Sequence, residues 1–302
     1  MVFISFVIYL SYFQVFKSHD IKNNSYNKRL WINEENVQRG AFLDRNGQIL
    51  VYSEKEKETN ERFYRYDSLY SHVIGYSLRE YGKSGLELMF NNELLNISEH
   101  TALDEFKNLV LPTSVGNNLK LTIDHGLQEK THSLLKDKKG AIIVMNPKNG
   151  EIYSMVSMPD FNVSNLDENW KWIAENEEKP FINRVTQGMY IPGSTFKIVS
   201  AVAALENLHL NLDYTCKGVT KIDGKDFLDY RGQVHGRISL KDALAKSCNT
   251  YFAEKAISLG QDKLGQVSER FMINQEIEFD LPVKKSSFPY KKTQGKTDLA
   301  AA

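Results

Sequence analysis

Residues Ser194 to Asn207 read Ser-Thr-Phe-Lys-Ile-Val-Ser-Ala-Val-Ala-Ala-Leu-Glu-Asn, and no other stretch constrains the chain as tightly. Past its first turn such a helix is apolar on nearly every side, so it is expected to be buried, running through the centre of a domain. Pro192-Gly193 stands before it, which puts Ser194 on the first turn with Lys197 three residues on. Residues at that spacing share a helix face, so the hydroxyl and the amine can meet. A lysine held in apolar surroundings loses hydration, and its pKa falls towards the neutral form that accepts a proton. The unpaired amides of a helix start offer partial positive charge to an anionic intermediate. One helical turn can therefore supply nucleophile, base and oxyanion donor.

The flanking sequence reads as a mixture of strands and helices. Leu119 to Asp124 alternates as a strand, and Asp124 is placed to cap a helix running on to Leu135. Ala141-Ile-Ile-Val-Met145 and Glu151-Ile-Tyr-Ser-Met-Val156 flank Asn149-Gly150, a pair that tolerates positive φ, which predicts a hairpin with its first strand central in a sheet. Ser239-Leu-Lys-Asp242 resembles a capping box, and Asn249 to Leu259 reads as a helix ended by Gly260. Ser247-Cys-Asn249 then falls at a helix junction, offering a hydroxyl for proton relay and an amide for a substrate carbonyl. Nearer the N-terminus, Arg39 to Leu50 predicts a second hairpin around Asp44-Arg-Asn-Gly47, and the charge run Glu54 to Arg62 reads as a solvated loop or helix face.

Met1 to Phe16 is apolar, with no charge before Lys17. It is shorter than the ~20 residues that span a bilayer and has neither basic leader nor cleavage site, so it reads as a membrane anchor whose start is clipped, followed by a polar linker. Lys and Arg together number 38, as do Asp and Glu, so the basic footprint of a nucleic-acid binder is missing. Cys216 and Cys248 fit no metal-ligand spacing and are expected to be free thiols. No metal and no cofactor is expected.

Several short matches are decoys. Ser133-Leu-Leu-Lys136 repeats the serine-lysine spacing on what reads as a solvent-facing helix, and Ser25-Tyr-Asn27 lies in the linker. Lys83-Ser-Gly85 lies upstream, and Lys296-Thr-Asp298 lacks the glycine of a Lys-Thr-Gly element. Gly82-Lys-Ser84 and Gly295-Lys-Thr297 lack the leading glycine of a phosphate loop, with Ser77 and Tyr290 in its place. Trp170, Trp172 and the aromatics from Phe63 to Tyr70 read as packing residues.

Taken together, Arg39-Gly-Ala-Phe-Leu-Asp-Arg-Asn-Gly47, Gly85-Leu-Glu87, Leu121-Thr-Ile-Asp-His-Gly-Leu-Gln128, Gly140 to Pro159, Gly193-Ser-Thr-Phe-Lys197 and Ser247-Cys-Asn249 resemble the class B penicillin-binding proteins, the monofunctional cell-wall transpeptidases. The resemblance implies an α+β chain: an anchor over 1–16, a linker over 17–29, a pedestal domain over 30–118 and a transpeptidase domain over 119–302. It carries the nucleophile and base over to Ser194 and Lys197, and the second-motif and substrate-binding residues to Ser247 and Asn249. The implied reaction cross-links peptidoglycan by acyl transfer from a D-Ala-D-Ala stem peptide through a serine acyl-enzyme that β-lactams also form. The implied setting is the bacterial cell membrane, with a single pass, an extracytoplasmic catalytic domain and a polytopic membrane glycosyltransferase as partner.

Family members continue past the equivalent of Asp298-Leu-Ala-Ala-Ala302 into a Lys-Thr/Ser-Gly strand. The chain as given is therefore expected to lack C-terminal strands and to bind labelled penicillin weakly or not at all. Two alternatives share parts of the pattern. A serine β-lactamase or D,D-carboxypeptidase would hydrolyse the same acyl-enzyme but does not need the long N-terminal module. A non-catalytic sensor or membrane scaffold would function without the Ser194 hydroxyl.

Overall fold

The computed structural model describes residues 2–13, 37–56, 59–97, 115–207, 212–288 and 295–300. At the N-terminus, α1 (Val2–Tyr12) is an apolar helix of 11 residues. No helix among the described residues is long and apolar enough to cross a membrane; of the span 1–16 expected as an anchor, only residues 2–13 are described. The linker expected over 17–29 lies outside the described residues.

Two compact units follow, the first made of Met1–Gly188 with Phe279–Pro282 and the second of Met189–Glu278 with Val283–Ala302. In the first unit, β1 (Phe42–Leu43), β2 (Ile49–Glu56), β3 (Thr59–Tyr64) and a later β6 (Leu119–Lys120) form a sheet in the order β3-β2-β1-β6. β1 turns into β2 through the predicted Asp44 to Gly47 turn, where the Asp44 carboxylate accepts from the amides of Asn46 and Gln48 at 2.8 Å each. The charge run Glu54 to Arg62 departs from the loop or helix face expected of it. Its described residues pair as β2 and β3, because alternate side chains of a strand face opposite sides and Arg62 turns inward.

What draws Arg62 inward is Glu87, fully buried on α2 (Gly85–Met89) after the short hairpin β4 (Ser77–Leu78) and β5 (Gly82–Lys83). Arg39 Nε donates to Glu87 Oε2 at 2.6 Å and Arg62 Nε donates to Oε1 at 2.8 Å. Arg39 also reaches Asn91 on α3 (Asn91–Leu94), and Arg62 reaches the Gly40 carbonyl. The Gly85-Leu-Glu87 signature is thus an ion-pair anchor. Its glycine is required by φ +59°, and an added Cβ would stand 2.7 Å from the carbonyl oxygens of Val73 and Ile74. Lys83, in the Lys83-Ser-Gly85 match, is buried and donates to Ser77 Oγ at 2.7 Å.

α4 (His125–Leu135) is capped by Asp124, which accepts from the Leu127 amide at 3.0 Å. One turn on, buried Gln128 donates to the carbonyls of Leu69 and Met155 and accepts from Ser154 Oγ and the Met155 amide. That explains the Asp-His-Gly-Leu-Gln run: cap first, then a clamp onto the neighbouring strand. β7 (Gly140–Met145) and β8 (Ile152–Met158) pair antiparallel about Gly150, which has φ +79°. The expectation that β7 is central fails. β8 holds the buried Met155, Val156 and Met158, whereas Ile143 and Met145 of β7 are exposed and β7 pairs only with β8 among the described residues. On α5 (Leu166–Glu175), Trp170 packs face to face on Tyr81 and against Phe181, while Trp172 is exposed.

The second unit is built on α6 (Lys197–Asn207) lying against a long helix, α8 (Asn249–Arg270), through Val199, Ala203, Ala204, Ala256 and Leu259. The small residues let the helices approach closely. α6 is not enclosed on every side, since Ile198 and Leu205 are exposed. Two antiparallel pairs complete the unit: β9 (Tyr214–Cys216) with β12 (Gly236–Ile238), and β10 (Val219–Ile222) with β11 (Lys225–Leu228), the second packing on α8 through Ala253 and Ile257. α7 (Leu240–Ala245) starts from the predicted capping box of Ser239 and Asp242. Gly260 interrupts α8 at φ +75°, ψ +168°, and the helix resumes to Arg270. The final described helix is α9 (Lys296–Ala300), which contains Lys296 and Thr297; the Thr297 amide and hydroxyl donate to Asp223.

Candidate active site

Gly193 to Phe196 forms a single 3-10 turn feeding directly into α6, so Ser194 sits one tight turn ahead of the α-helix expected to carry it. As the second residue of that turn its amide has no partner within the turn, and the side chain is exposed. Lys197, the first residue of α6, is buried. Its ammonium donates to Ser247 O at 2.7 Å, Ser247 Oγ at 3.0 Å and Asn249 Oδ1 at 2.6 Å, which uses all three N–H donors. Ser247 Oγ in turn donates to Ser194 Oγ at 3.1 Å. All four sequence-predicted residues therefore meet in the second unit, with Ser247 bridging Lys197 to Ser194.

The neighbours fix the Asn249 amide: Lys197 only donates, so Oδ1 faces it, and Nδ2 donates to the Leu228 carbonyl at 3.3 Å. Burial lowers the Lys197 pKa from its ordinary value, opposed in part by the negative charge of Asp229. Ser247 adopts φ +54°, a left-handed conformation uncommon for a side-chain-bearing residue, at the junction of α7 and α8. It is held there by the Ser247 amide donating to Leu244 O and the Cys248 amide donating to Ala243 O, while the Cys248 sulfur accepts from the Tyr251 amide.

The decoy pair differs in every respect. Ser133 donates its hydroxyl to the carbonyl of Lys130, and Lys136 lies beyond the end of α4, exposed. The same four-residue spacing yields no relay without burial and a second element.

Sequence reasoning missed a group directly behind the relay. Cys216, Asp229, His235 and Cys248 bring one donor atom each to within 4.8 Å of one another. Cys216 Sγ is 3.5 Å from Asp229 Oδ2 and 3.6 Å from His235 Nδ1, and that nitrogen is 3.0 Å from Asp229 Oδ2. The edges of a tetrahedron with zinc bonds of 2.0–2.3 Å measure about 3.3 to 3.8 Å, which the 3.5 and 3.6 Å separations match and the 3.0 Å one and the 4.8 Å span do not, and two thiolates, an imidazole and a carboxylate are zinc donors. Both thiols are free, and burial pushes that of Cys248 up to about 12. A metal-ligand spacing rule could not find this set, because β9, the turn after β11, the residue just before β12 and the cap of α8 each give one ligand.

The penicillin binding protein transpeptidase domain matches residues 140–301, and the penicillin binding protein A dimerisation domain matches residues 39–118. The chain is 29% identical over 259 residues to the peptidoglycan D,D-transpeptidase MrdA of Acinetobacter baumannii, covering 73% of the chain and 38% of that protein. It is 29% identical over 286 residues to the peptidoglycan D,D-transpeptidase PbpA of Mycolicibacterium smegmatis, covering 85% of the chain and 57% of that protein. The chain thus spans well under two thirds of either relative. Among solved structures, the D,D-transpeptidase domain of a peptidoglycan glycosyltransferase from Eggerthella lenta superposes with a TM-score of 0.77 at 30% identity, over 88% of the chain and 61% of that domain. Penicillin-binding protein A from M. tuberculosis, solved as an imipenem acyl-enzyme, shares the fold with a TM-score of 0.79 at 23% identity, over 89% of the chain and 66% of that protein.

Proposed function

The chain belongs to the penicillin-binding protein transpeptidase family, and from that premise we propose that Ser194 is the nucleophile of an acyl transfer that cross-links peptidoglycan. Ser194 Oγ attacks the carbonyl of the penultimate D-Ala of a stem peptide. Its proton passes to Ser247 Oγ as the Ser247 hydroxyl proton passes to neutral Lys197, and the terminal D-Ala leaves as the amine takes a proton back. A neighbouring stem-peptide amine then resolves the acyl-enzyme. The observation that carries this reading is the unbroken run of hydrogen bonds from Lys197 through Ser247 to Ser194. β-Lactams acylate the same serine. The N-terminal segment tethers the protein to the bacterial cell membrane, with the serine outside the cytoplasm and a polytopic membrane glycosyltransferase as partner. Residues 30–118 act as pedestal and 119–302 belong to the catalytic domain.

The test is covalent labelling by a penicillin at high concentration, followed by peptide mapping. A slow adduct of one penicillin on the Ser194 peptide is expected, and an adduct confined to any other residue would sink the reading. The labelling rate should rise with pH, because the base acts only when neutral, and its midpoint should fall below the ordinary lysine value of 10.5, since burial lowers the Lys197 pKa. A rate flat with pH would remove Lys197 as the base.

The buried Cys216, Asp229, His235 and Cys248 group fits a zinc ion. Bound there, zinc would supply structural cross-linking of β9, the turn after β11, the residue before β12 and the cap of α8, with no open position required for chemistry. The purified chain is expected to carry about one zinc, measured by elemental analysis, and Cys216→Ala to lose most of it. A metal-free chain melting at the same temperature with and without added zinc would rule this out.

A further inference from the structure

Building on the acyl-transfer reading, we propose that Asp229 is a positioning residue, which holds the Asn249 backbone through Oδ1 and thereby sets where Asn249 meets Lys197. Asp229 is buried and its two oxygens face different neighbours. Oδ1 accepts from the Asn249 amide at 3.1 Å and the Tyr230 amide at 2.9 Å. Oδ2 faces Cys216 Sγ and His235 Nδ1. Asn249 is the first residue of α8, and a first-turn amide has no acceptor within its own helix. The carboxylate supplies that acceptor and adds negative charge at the positive end of the helix dipole.

The residue is itself pinned. The Asp229 amide donates to Gly218 O at 2.9 Å, and its carbonyl accepts from the Gly232 amide at 2.9 Å. The preceding residue completes the grip, because the Leu228 carbonyl accepts from Asn249 Nδ2. Backbone and side chain of Asn249 are thus held from one turn, and the remaining polar atom of that side chain, Oδ1, is aimed at the Lys197 ammonium. Removing the Asp229 oxygen leaves the Asn249 amide unpaired and frees the start of α8 to shift, which displaces an acceptor of the catalytic lysine.

Two substitutions separate this role from that of the metal-fitting group. In Asp229→Asn the amide oxygen can take the place of Oδ1, since the N–H groups of Asn249 and Tyr230 require an acceptor, and the amide nitrogen then faces the sulfur and imidazole. That variant loses the anionic metal donor but keeps the grip on Asn249. In Asp229→Glu the carboxylate and its charge remain, displaced by one methylene.

Hydrogen exchange of the Asn249 amide and penicillin labelling at Ser194 are measured on the full chain for both variants and for Asp229→Ala. The amide should stay protected in Asp229→Asn, which keeps labelling within roughly tenfold of the unchanged protein, and should lose protection in Asp229→Ala and Asp229→Glu, with labelling slowed roughly 30- to 100-fold. If Asp229→Ala does not fold, Asp229→Glu alone decides. Unchanged protection in Asp229→Glu would overturn the proposal, as would labelling that falls as far in Asp229→Asn as in Asp229→Glu and tracks metal content. Absence of any Ser194 adduct in the unchanged protein would count against the acyl-transfer reading alone, because amide exchange still reports the positioning.

Discussion

Lys197→Ala is expected to slow penicillin labelling of Ser194 by about 1,000-fold or more, with the melting temperature of the second unit moved only slightly. General-base assistance contributes about 100- to 10,000-fold in enzymes, and the upper part of that range applies because no second base stands within the relay. Lys197 is the sole cation that the described hydrogen bonds place on Ser247 and Asn249. Lys197→Arg should not restore the rate. A guanidinium stays protonated at every usable pH, so it can donate to Ser247 and Asn249 but cannot accept the proton relayed from Ser194 through Ser247. Comparing the two variants separates charge from basicity: if Arg labels as fast as Lys, the residue only anchors Ser247 and Asn249, and the base lies elsewhere. The matched control is Lys136→Ala in the decoy pair, whose exposed position predicts no change.

That pair also shows how far spacing alone carries. Both serine-lysine pairs are legible from sequence, and only the apolar helix after Ser194 and the downstream Ser247-Cys-Asn249 distinguish them. Local signals held where a side chain meets its own backbone: the Asp124 cap, the Ser239 and Asp242 capping box and the turn at Gly150; Gly260, expected to end its helix, only interrupts it before it resumes to Arg270. They failed where a distant partner decides. Arg62 belongs to a run of charges that looks solvated, yet Glu87 draws it inward from another element. A serine and a lysine three residues apart predict direct contact, but the ammonium spends its donors on Ser247 and Asn249, which approach from the α7–α8 junction. Cys216, Asp229, His235 and Cys248 carry no spacing signature because the pairing of β9 with β12 assembles them.

The largest effect on stability is expected at Glu87. Glu87→Gln preserves shape and removes one charge, leaving the guanidinium groups of Arg39 and Arg62, both shielded from water, with no carboxylate between them. Breaking a buried pair in this way costs about 3–5 kcal/mol, far more than an exposed pair is worth, because the desolvation of the surviving cations is no longer offset. For a unit of this size that lowers the melting temperature by roughly 10 °C. The same balance sets an acid response. Burial alone would raise the Glu87 pKa, but the charges and hydrogen bonds of Arg39 and Arg62 outweigh it and hold the group at about 2, below its ordinary 4.5. A carboxylate depressed on folding contributes stability that is complete above its unfolded value and is lost as pH falls towards its folded one. The unchanged protein should therefore lose stability between about pH 4.5 and 2 through this group, and Glu87→Gln should lack that component. Tryptophan fluorescence follows the right part of the molecule, since Trp170 and Trp172, the tryptophans among the described residues, both lie in the first unit. Urea midpoints from that signal at pH 7 and pH 3 give the comparison. A variant that is equally stable at pH 7, or that keeps the full acid sensitivity, would mean that the two arginines are satisfied by Asn91 and the Gly40 carbonyl without the carboxylate.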